Sequence, residues 1–259
     1  MIRALWTAAS GMRSQQLAVD TIAHNLSNVN TTGFRRSRVE MQDLKYTQVI
    51  PAGSGPTPSP LLVGQGVKPA STQRSFRMGS LQPTGGQLDF AIEGQGFFQV
   101  RLASGALAYT RDGSFKLNLD GELVTGSGYR LVVSGDGKIP AGATEISISP
   151  DGRITALAPD SSAPVEVGQV ILADFPNPGG LESLGDNLFG VTGATGEVTT
   201  GAPGTGGSGR LIQGYLEMSN VEVVQEMMDL IMAQRAYELN SRALKSADEM
   251  LGLANQIRR

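Results

Sequence analysis

Cysteine is absent from the 259 residues, which removes disulfides, thiolate metal sites and cysteine nucleophiles in one step. Histidine occurs once, as His24, so a Ser-His-Asp arrangement would have to use a lone base inside a helical segment, where a packing role is the simpler reading. A metal site needs several His, Cys or clustered carboxylates, and no such spacing occurs. Charge of one sign is also lacking. With 21 Lys and Arg against 24 Asp and Glu, mixed along the chain, neither nucleic acid nor an anionic membrane surface is indicated as a partner. No apolar run approaches the roughly 20 residues of a membrane helix. The opening Met1-Ile2-Arg3-Ala4-Leu5-Trp6 has no apolar core followed by a small-residue cleavage site, so no cleaved secretory signal is expected.

The helix breakers are missing from the two ends. All 13 prolines lie between Pro51 and Pro203, and outside that interval glycine occurs only as Gly11, Gly33, Gly214 and Gly252. Because both residues are costly inside helices, the ends and the middle must follow different rules.

In the first segment Ile2, Leu5, Ala9, Met12, Val19, Ala23 and Leu26 recur at three-four spacing, interrupted by Gln16. A helix over residues 2–27 follows, about 40 Å long at 1.5 Å per residue. Its stop signal is Asn28-Val29-Asn30-Thr31-Thr32-Gly33. The last fifty residues contain no proline and repeat the rhythm with Val223, Met227, Leu230, Tyr237, Leu244 and Leu251. A second set, including Val224, Met228, Ile231 and Leu239, widens the apolar face beyond a two-stranded seam and implies more than one helical neighbour. Periodicity alone is equally compatible with a helical hairpin packed on the middle of the chain.

The middle reads as short strands and turns. Tyr109–Arg111, Phe115–Leu119 and Tyr129–Val133 are rich in β formers, and Asp112-Gly113 and Asp120-Gly121 separate them as in a hairpin meander. Asp136-Gly137 and Asp151-Gly152 punctuate further strand candidates. A turn role, with Asp bonding nearby backbone and Gly at positive φ, accounts for all four aspartates without invoking an acid-nucleophile pair. Gly204-Thr205-Gly206-Gly207-Ser208-Gly209 fits the phosphate-loop spacing, yet no βαβ unit surrounds it, and it reads as linker. Arg35, Arg36 and Arg38 form a basic cluster at the helix exit, complementary to acidic residues such as Glu222, Glu226 and Asp229.

The resulting expectation is an α+β chain, with long N- and C-terminal helices pairing as a coiled coil and a central all-β, antiparallel domain. The boundaries are 1–45 for the N-terminal helical part and 46–71 for an extended linker. A β domain over 72–185, a Gly-rich return linker over 186–210 and the C-terminal helical part over 211–259 complete the chain.

Two terminal motifs then stand out. Ala23-His24-Asn25-Leu26-Ser27-Asn28-Val29-Asn30-Thr31-Thr32-Gly33-Phe34 resembles the Asn-rich signature of the bacterial flagellar rod and hook proteins, with His24 where the family usually has Asn. Ser219-Asn220-Val221 and Ala233-Gln234-Arg235-Ala236-Tyr237-Glu238-Leu239-Asn240 resemble the family's C-terminal mark. In the middle, Ile92–Val100 and Tyr109–Phe115 are similar to its shared body. The resemblance spans nearly the whole chain.

What it implies is a structural subunit, with no catalytic residue, cofactor or metal. The helical ends would form a coiled-coil inner tube around an export channel, with Ile2, Leu5, Ala9, Met12, Val19, Leu26, Val223, Met227, Leu230, Tyr237, Leu244 and Leu251 at the assembly interface. Family members of the distal rod carry an extra stretch after the first helix, and Tyr46 to Pro60, with Pro51, Pro56 and Pro58, occupies that place. The implied partners are further copies of the chain, proximal rod proteins, the hook protein, the P and L rings and the export apparatus, with no nucleic acid or small-molecule substrate. The implied location is the flagellar basal body, from periplasm to outer membrane. Another axial protein of the family is the near alternative. A periplasmic glycan-binding or hydrolytic β domain is the alternative of a different class.

Overall fold

The computed structural model describes residues 2–50, 60–140, 142–143, 145–158 and 163–257. Its architecture is α+β, with mainly antiparallel strands and one long helix at each end. The chain divides into two compact units.

The first unit comprises Met1–Ser27, Ser37–Ser75 and Glu222–Arg259. The N-terminal helix α1 spans Ile2–Ser27 and the C-terminal helix α2 spans Val223–Ile257. Both run without proline, and at 1.5 Å per residue they are about 39 and 52 Å long. They pack against each other through small and polar residues. Ala8, Gly11, Ser14 and Asn25 of α1 and Glu226, Ala233 and Ala247 of α2 are buried. A Cβ at Gly11 would come within 2.9 Å of the Asn240 side chain, so the absence of a side chain there permits the close approach.

Strand Ser37–Asp43 follows and pairs antiparallel with Val67–Arg74, from Ser37 opposite Arg74 to Asp43 opposite Val67. Pro69 is accommodated because this is a two-stranded ribbon, whose outer edges need no ladder donor. Thr47–Ile50 pairs with Leu61–Val63. The proposed extended linker over 46–71 is therefore paired β structure at both of its described ends, since alternating β-branched and apolar residues outweigh the flanking prolines. Pro51, Pro56 and Pro58 lie outside the described residues; Tyr46 and Pro60 are exposed.

The second unit comprises Asn28–Arg36 and Phe76–Val221. Among the described residues its largest sheet has nine strands. Along one path Glu182–Gly185, Leu188–Gly190, Leu107–Thr110, Phe97–Arg101, Arg130–Leu131, Leu123–Val124 and Lys116–Leu117 are neighbours, and Leu172–Asp174 pairs with both Phe97–Arg101 and Thr199–Gly201. Val133–Ser134, Val165–Val170, Arg153–Leu157 and Glu145–Ile148 form a four-stranded sheet. Arg210–Gln213 pairs with Phe90–Glu93, and Tyr215–Glu217 with Leu81–Pro83.

The larger apolar core includes Phe90, Phe98, Val100, Phe115, Ile154 and Leu172, with the Phe90 and Phe115 rings stacked at 4.8 Å. A smaller core gathers Phe97, Tyr109, Phe175, Leu181 and Phe189. The strand Phe97–Arg101 faces both cores, which explains its run of buried residues.

Several expectations are corrected here. The segment after Leu107–Thr110 does not fold back as a hairpin; that strand sits between Phe97–Arg101 and Leu188–Gly190. Gly121, Gly137 and Gly152 adopt positive φ as a turn requires, but Gly113 does not. Gly113 is needed instead because a Cβ there would collide with the carbonyl oxygen of Phe90. Residues 186–210 are not a connector: Leu188–Gly190 and Thr199–Gly201 complete the nine-stranded sheet, and Gly204 N–H donates to Gly209 O at 2.9 Å in an ordered turn. Residues 210–217 form two strands before α2 begins.

Candidate assembly interface

The first group of candidate residues lies on the two helices. On α1, Leu5, Met12, Val19 and Leu26 are half-buried and Ala9 is exposed, while the side chain of Ile2 lies outside the described residues. On α2, Leu230, Leu244 and Leu251 are half-buried, whereas Val223, Met227 and Tyr237 are exposed. The rhythm thus marks two different surfaces. Residues on the inner side of the pair pack within the chain, and the others remain uncovered.

The uncovered surface is extensive. Val224, Met227, Met228, Ile231, Met232, Leu239, Met250 and Leu253 of α2 are each about half exposed or more, and Trp6 of α1 is 72% exposed. Isolated exposed apolar residues are ordinary, but from Val223 to Met232 they recur every three or four positions and form one patch, with Leu239, Met250 and Leu253 standing further along the helix. Met232, Leu253 and Trp6 were not among the residues singled out by periodicity.

The motif residues take a different place. Asn25 is buried and bonds Ser37 from both ends of its amide, donating to Ser37 O at 2.8 Å and accepting from Ser37 N–H at 3.0 Å. The same Nδ2 donates to Glu226 Oε2 at 3.1 Å, tying α1 to the first turn of α2. Gly33, at φ 67°, turns the chain after α1, and its N–H donates to Glu217 O at 2.8 Å. Thr32 Oγ1 donates to Asp112 Oδ1 at 2.8 Å, and Arg36 N–H donates to Asn220 Oδ1 at 2.7 Å. Ser219 and Val221 are buried; Phe34 and Asn28 are half-buried and Asn30 exposed. On α2, Gln234 and Arg235 are exposed and Asn240 half-buried.

The cluster that sequence reasoning missed lies in the second unit. Arg35 is not on a solvated helix exit; its side chain is fully buried, with Nη1 2.7 Å from Glu217 Oε1. This contact is an ion pair without good hydrogen-bond alignment, and among the described residues none accepts from Arg35 Nε or Nη2. Glu217 Oε2 lies 3.3 Å from Arg111 Nη1, and Oε1 also accepts from Gly79 N–H at 2.8 Å. Arg111 further donates to Gly94 O at 2.6 Å and sits over the Phe97 ring, 5.3 Å from its centroid. Burial pushes the Arg111 guanidinium down to about 10; the adjacent Glu217 opposes that shift, and the charge of Arg35 adds to it. No local pattern announces such a cluster, because its members are far apart in sequence and each looks like a surface charge.

His24 is exposed on α1. Among the described residues no group of three or more His, Asp or Glu is placed to hold a metal, and no helix is long and apolar enough to cross a membrane.

Comparison with known proteins gives the same picture along the chain. Residues 5–35 match the family described as flagella basal body rod protein, residues 91–156 the flagellar hook protein FlgE/F/G D1 domain, and residues 212–257 the flagellar basal body rod FlgEFG protein C-terminal region. The chain is 48% identical over 264 residues to the flagellar basal-body rod protein FlgG of Borreliella burgdorferi, covering 100% of both chains. It is 46% identical to FlgG of Caulobacter vibrioides, covering 99% of this chain and 100% of that one. The corresponding figures for FlgG of Bacillus subtilis are 37% identity and 97% of each chain. With both terminal motifs and the β body matched over its full length, the chain belongs to the family of flagellar basal-body rod proteins, structural components of the flagellum.

Proposed function

We propose that the chain polymerises into the distal rod of the flagellar basal body, transmitting torque toward the hook and enclosing the export channel. In this reading α1 and α2 pair as a coiled coil and, with those of neighbouring copies, form the inner layer. The β unit forms the outer layer. The observation that carries it is the exposed apolar patch of α2 formed by Val223, Val224, Met227, Met228, Ile231 and Met232, on a helix that buries Ala233 and Ala247 within the chain. Each such side chain gains about 1.5–3 kcal/mol when it is buried, so the patch favours association of helices from several copies. Full-length similarity to proteins named FlgG supports this member of the family over the other axial proteins.

The other assignments follow from that placement. The assembly domain consists of the helical parts near residues 1–45 and 211–259. Proximal rod proteins and the hook protein would be its axial neighbours, the P and L rings would surround it, and the export apparatus would deliver it. The rod would span the periplasm to the outer membrane. The stretch from Tyr46 to Pro60 would stiffen the rod relative to the hook, a role consistent with the exposed Tyr46, Val49, Ile50, Leu61 and Leu62 of its ribbon.

A chain lacking 223–259 tests the proposal. The β unit is expected to keep its cooperative melting while polymers and motility are lost. Normal polymers from that truncation would overturn the reading.

A further inference from the structure

We infer that Met227, Met228 and Met232, near the start of α2, form an oxidation site at which a peroxide converts thioethers to sulfoxides and so stops the free chain from associating while it stays folded. The inference rests on the assembly reading and adds a covalent modification to the same surface.

Sulfur chemistry in this chain belongs to methionine alone. With no cysteine present, the nine methionines are the groups that a peroxide oxidises at sulfur. They are not equivalent. Met12 and Met218 are half-buried, whereas Met227, Met228 and Met232 are 51%, 48% and 61% exposed, so peroxide reaches their sulfurs in the free chain. Met41, Met78 and Met250 are also exposed, but each stands singly.

What sets the three apart is their spacing. Val223, Met227 and Ile231 stand four positions apart in one row of the helix, and Val224, Met228 and Met232 in the row beside it. Methionine therefore supplies three of the six side chains of the patch, and its unbranched thioether adapts to an irregular apolar partner surface.

Oxidation reverses that property. The sulfur lone pair takes one oxygen from hydrogen peroxide, the O–O bond breaks, and water leaves; sulfur gives up the two electrons that the peroxide gains. The product is a polar side chain whose oxygen accepts hydrogen bonds. In the free chain water serves that oxygen, because all three positions are exposed, and the fold within the chain is left intact. Contact with the helix of a second copy withdraws the water, and a polar group buried without a partner opposes association. Three such groups within six positions act on one patch together.

Peroxide treatment of the full chain, in wild type and in the triple variant Met227→Leu, Met228→Leu, Met232→Leu, tests this, with the peroxide removed before polymerisation. Leucine keeps the three positions apolar and helical. Untreated wild type should polymerise. Treated wild type should carry an added oxygen on Met227, Met228 and Met232 by peptide mass spectrometry, melt as before, and need a concentration raised by roughly tenfold or more to polymerise. The treated triple variant should polymerise as the untreated one does, and in polymer formed before treatment the three methionines should stay reduced. Normal polymerisation of the oxidised wild type would overturn the inference. So would loss of assembly in the treated triple variant, a folding defect in oxidised wild type, or oxidation of the three as fast in polymer as in the free chain. Failure of untreated wild type to polymerise would contradict the assembly reading, and the inference with it.

Discussion

Asn25 and Glu226 are 201 positions apart in the chain, yet their buried side chains meet at 3.1 Å, where α1 ends and α2 begins. The amide can serve both Glu226 and the two backbone groups of Ser37 because it carries a donor end and an acceptor end. An Asn25→Asp substitution keeps the shape, but removes the donors and places a second carboxylate beside Glu226. Stability of the helical unit is expected to fall by about 2–3 kcal/mol at neutral pH and to recover partly as the pH drops and one carboxylate is protonated. Helix content followed by circular dichroism during urea unfolding, at neutral and mildly acidic pH, checks both halves of this expectation.

Glu217 is the carboxylate that pairs with two buried guanidiniums. Glu217→Gln should destabilise the β unit by about 3–5 kcal/mol, because both buried guanidiniums then lose the carboxylate they pair with. Chemical unfolding monitored at Trp6 would miss this, since Trp6 lies in the helical unit, so near-ultraviolet signals from the Phe and Tyr cores are the appropriate readout.

The depressed Arg111 value carries a sign. With the folded state titrating at about 10 and the unfolded chain in the ordinary, higher arginine range, the unfolded chain binds more protons between the two. The contribution of this group to stability therefore rises with pH through that window, and below it the buried charge is a constant cost. Relative to Arg111→Met, the wild-type chain should gain stability between about pH 9 and about pH 11, a difference that matched urea titrations would reveal.

Gly113→Ala separates turn chemistry from close packing. A positive-φ turn glycine would lose about 1 kcal/mol on such a change, whereas a Cβ at Gly113 runs into the Phe90 carbonyl and must displace a core strand. We expect a loss of about 3 kcal/mol, at the upper end of overpacking effects, read as a lowered melting temperature of the β unit.

The α2 patch is expected to be silent in the isolated chain. Ile231→Glu combined with Met228→Glu changes exposed positions, so its melting should stay within about 0.5 kcal/mol of wild type while assembly is lost. Light scattering under polymerising conditions, alongside thermal unfolding of the same samples, distinguishes an assembly defect from a folding defect.

Much of this organisation was legible in the residues because it depends on local rules. The confinement of proline to 51–203 and the three-four spacing of Leu5, Met12 and Val19 are direct consequences of helix geometry, and both helices end close to where those signals place them. Turn chemistry was legible at Gly121, Gly137 and Gly152 for the same reason. What was not legible is non-local. Gly113 follows an aspartate like the other three, and only the approach of Phe90 gives it a different role. Leu188–Gly190 and Thr199–Gly201 lie in Gly- and Thr-rich sequence, and become strands because Leu107–Thr110 and Leu172–Asp174 offer them edges. Arg35 looks like one of three surface arginines until Glu217 arrives from the other end of the chain.

The central claim is that the chain builds a tube through its two helices. Electron cryomicroscopy of the full chain polymerised in solution tests it most directly. The account predicts a straight, hollow tube whose inner wall consists of α1 and α2, with Met227, Ile231 and Leu239 covered by helices of neighbouring copies. A polymer whose inner wall is built from the β unit, or one in which those three residues still face solvent, would contradict it.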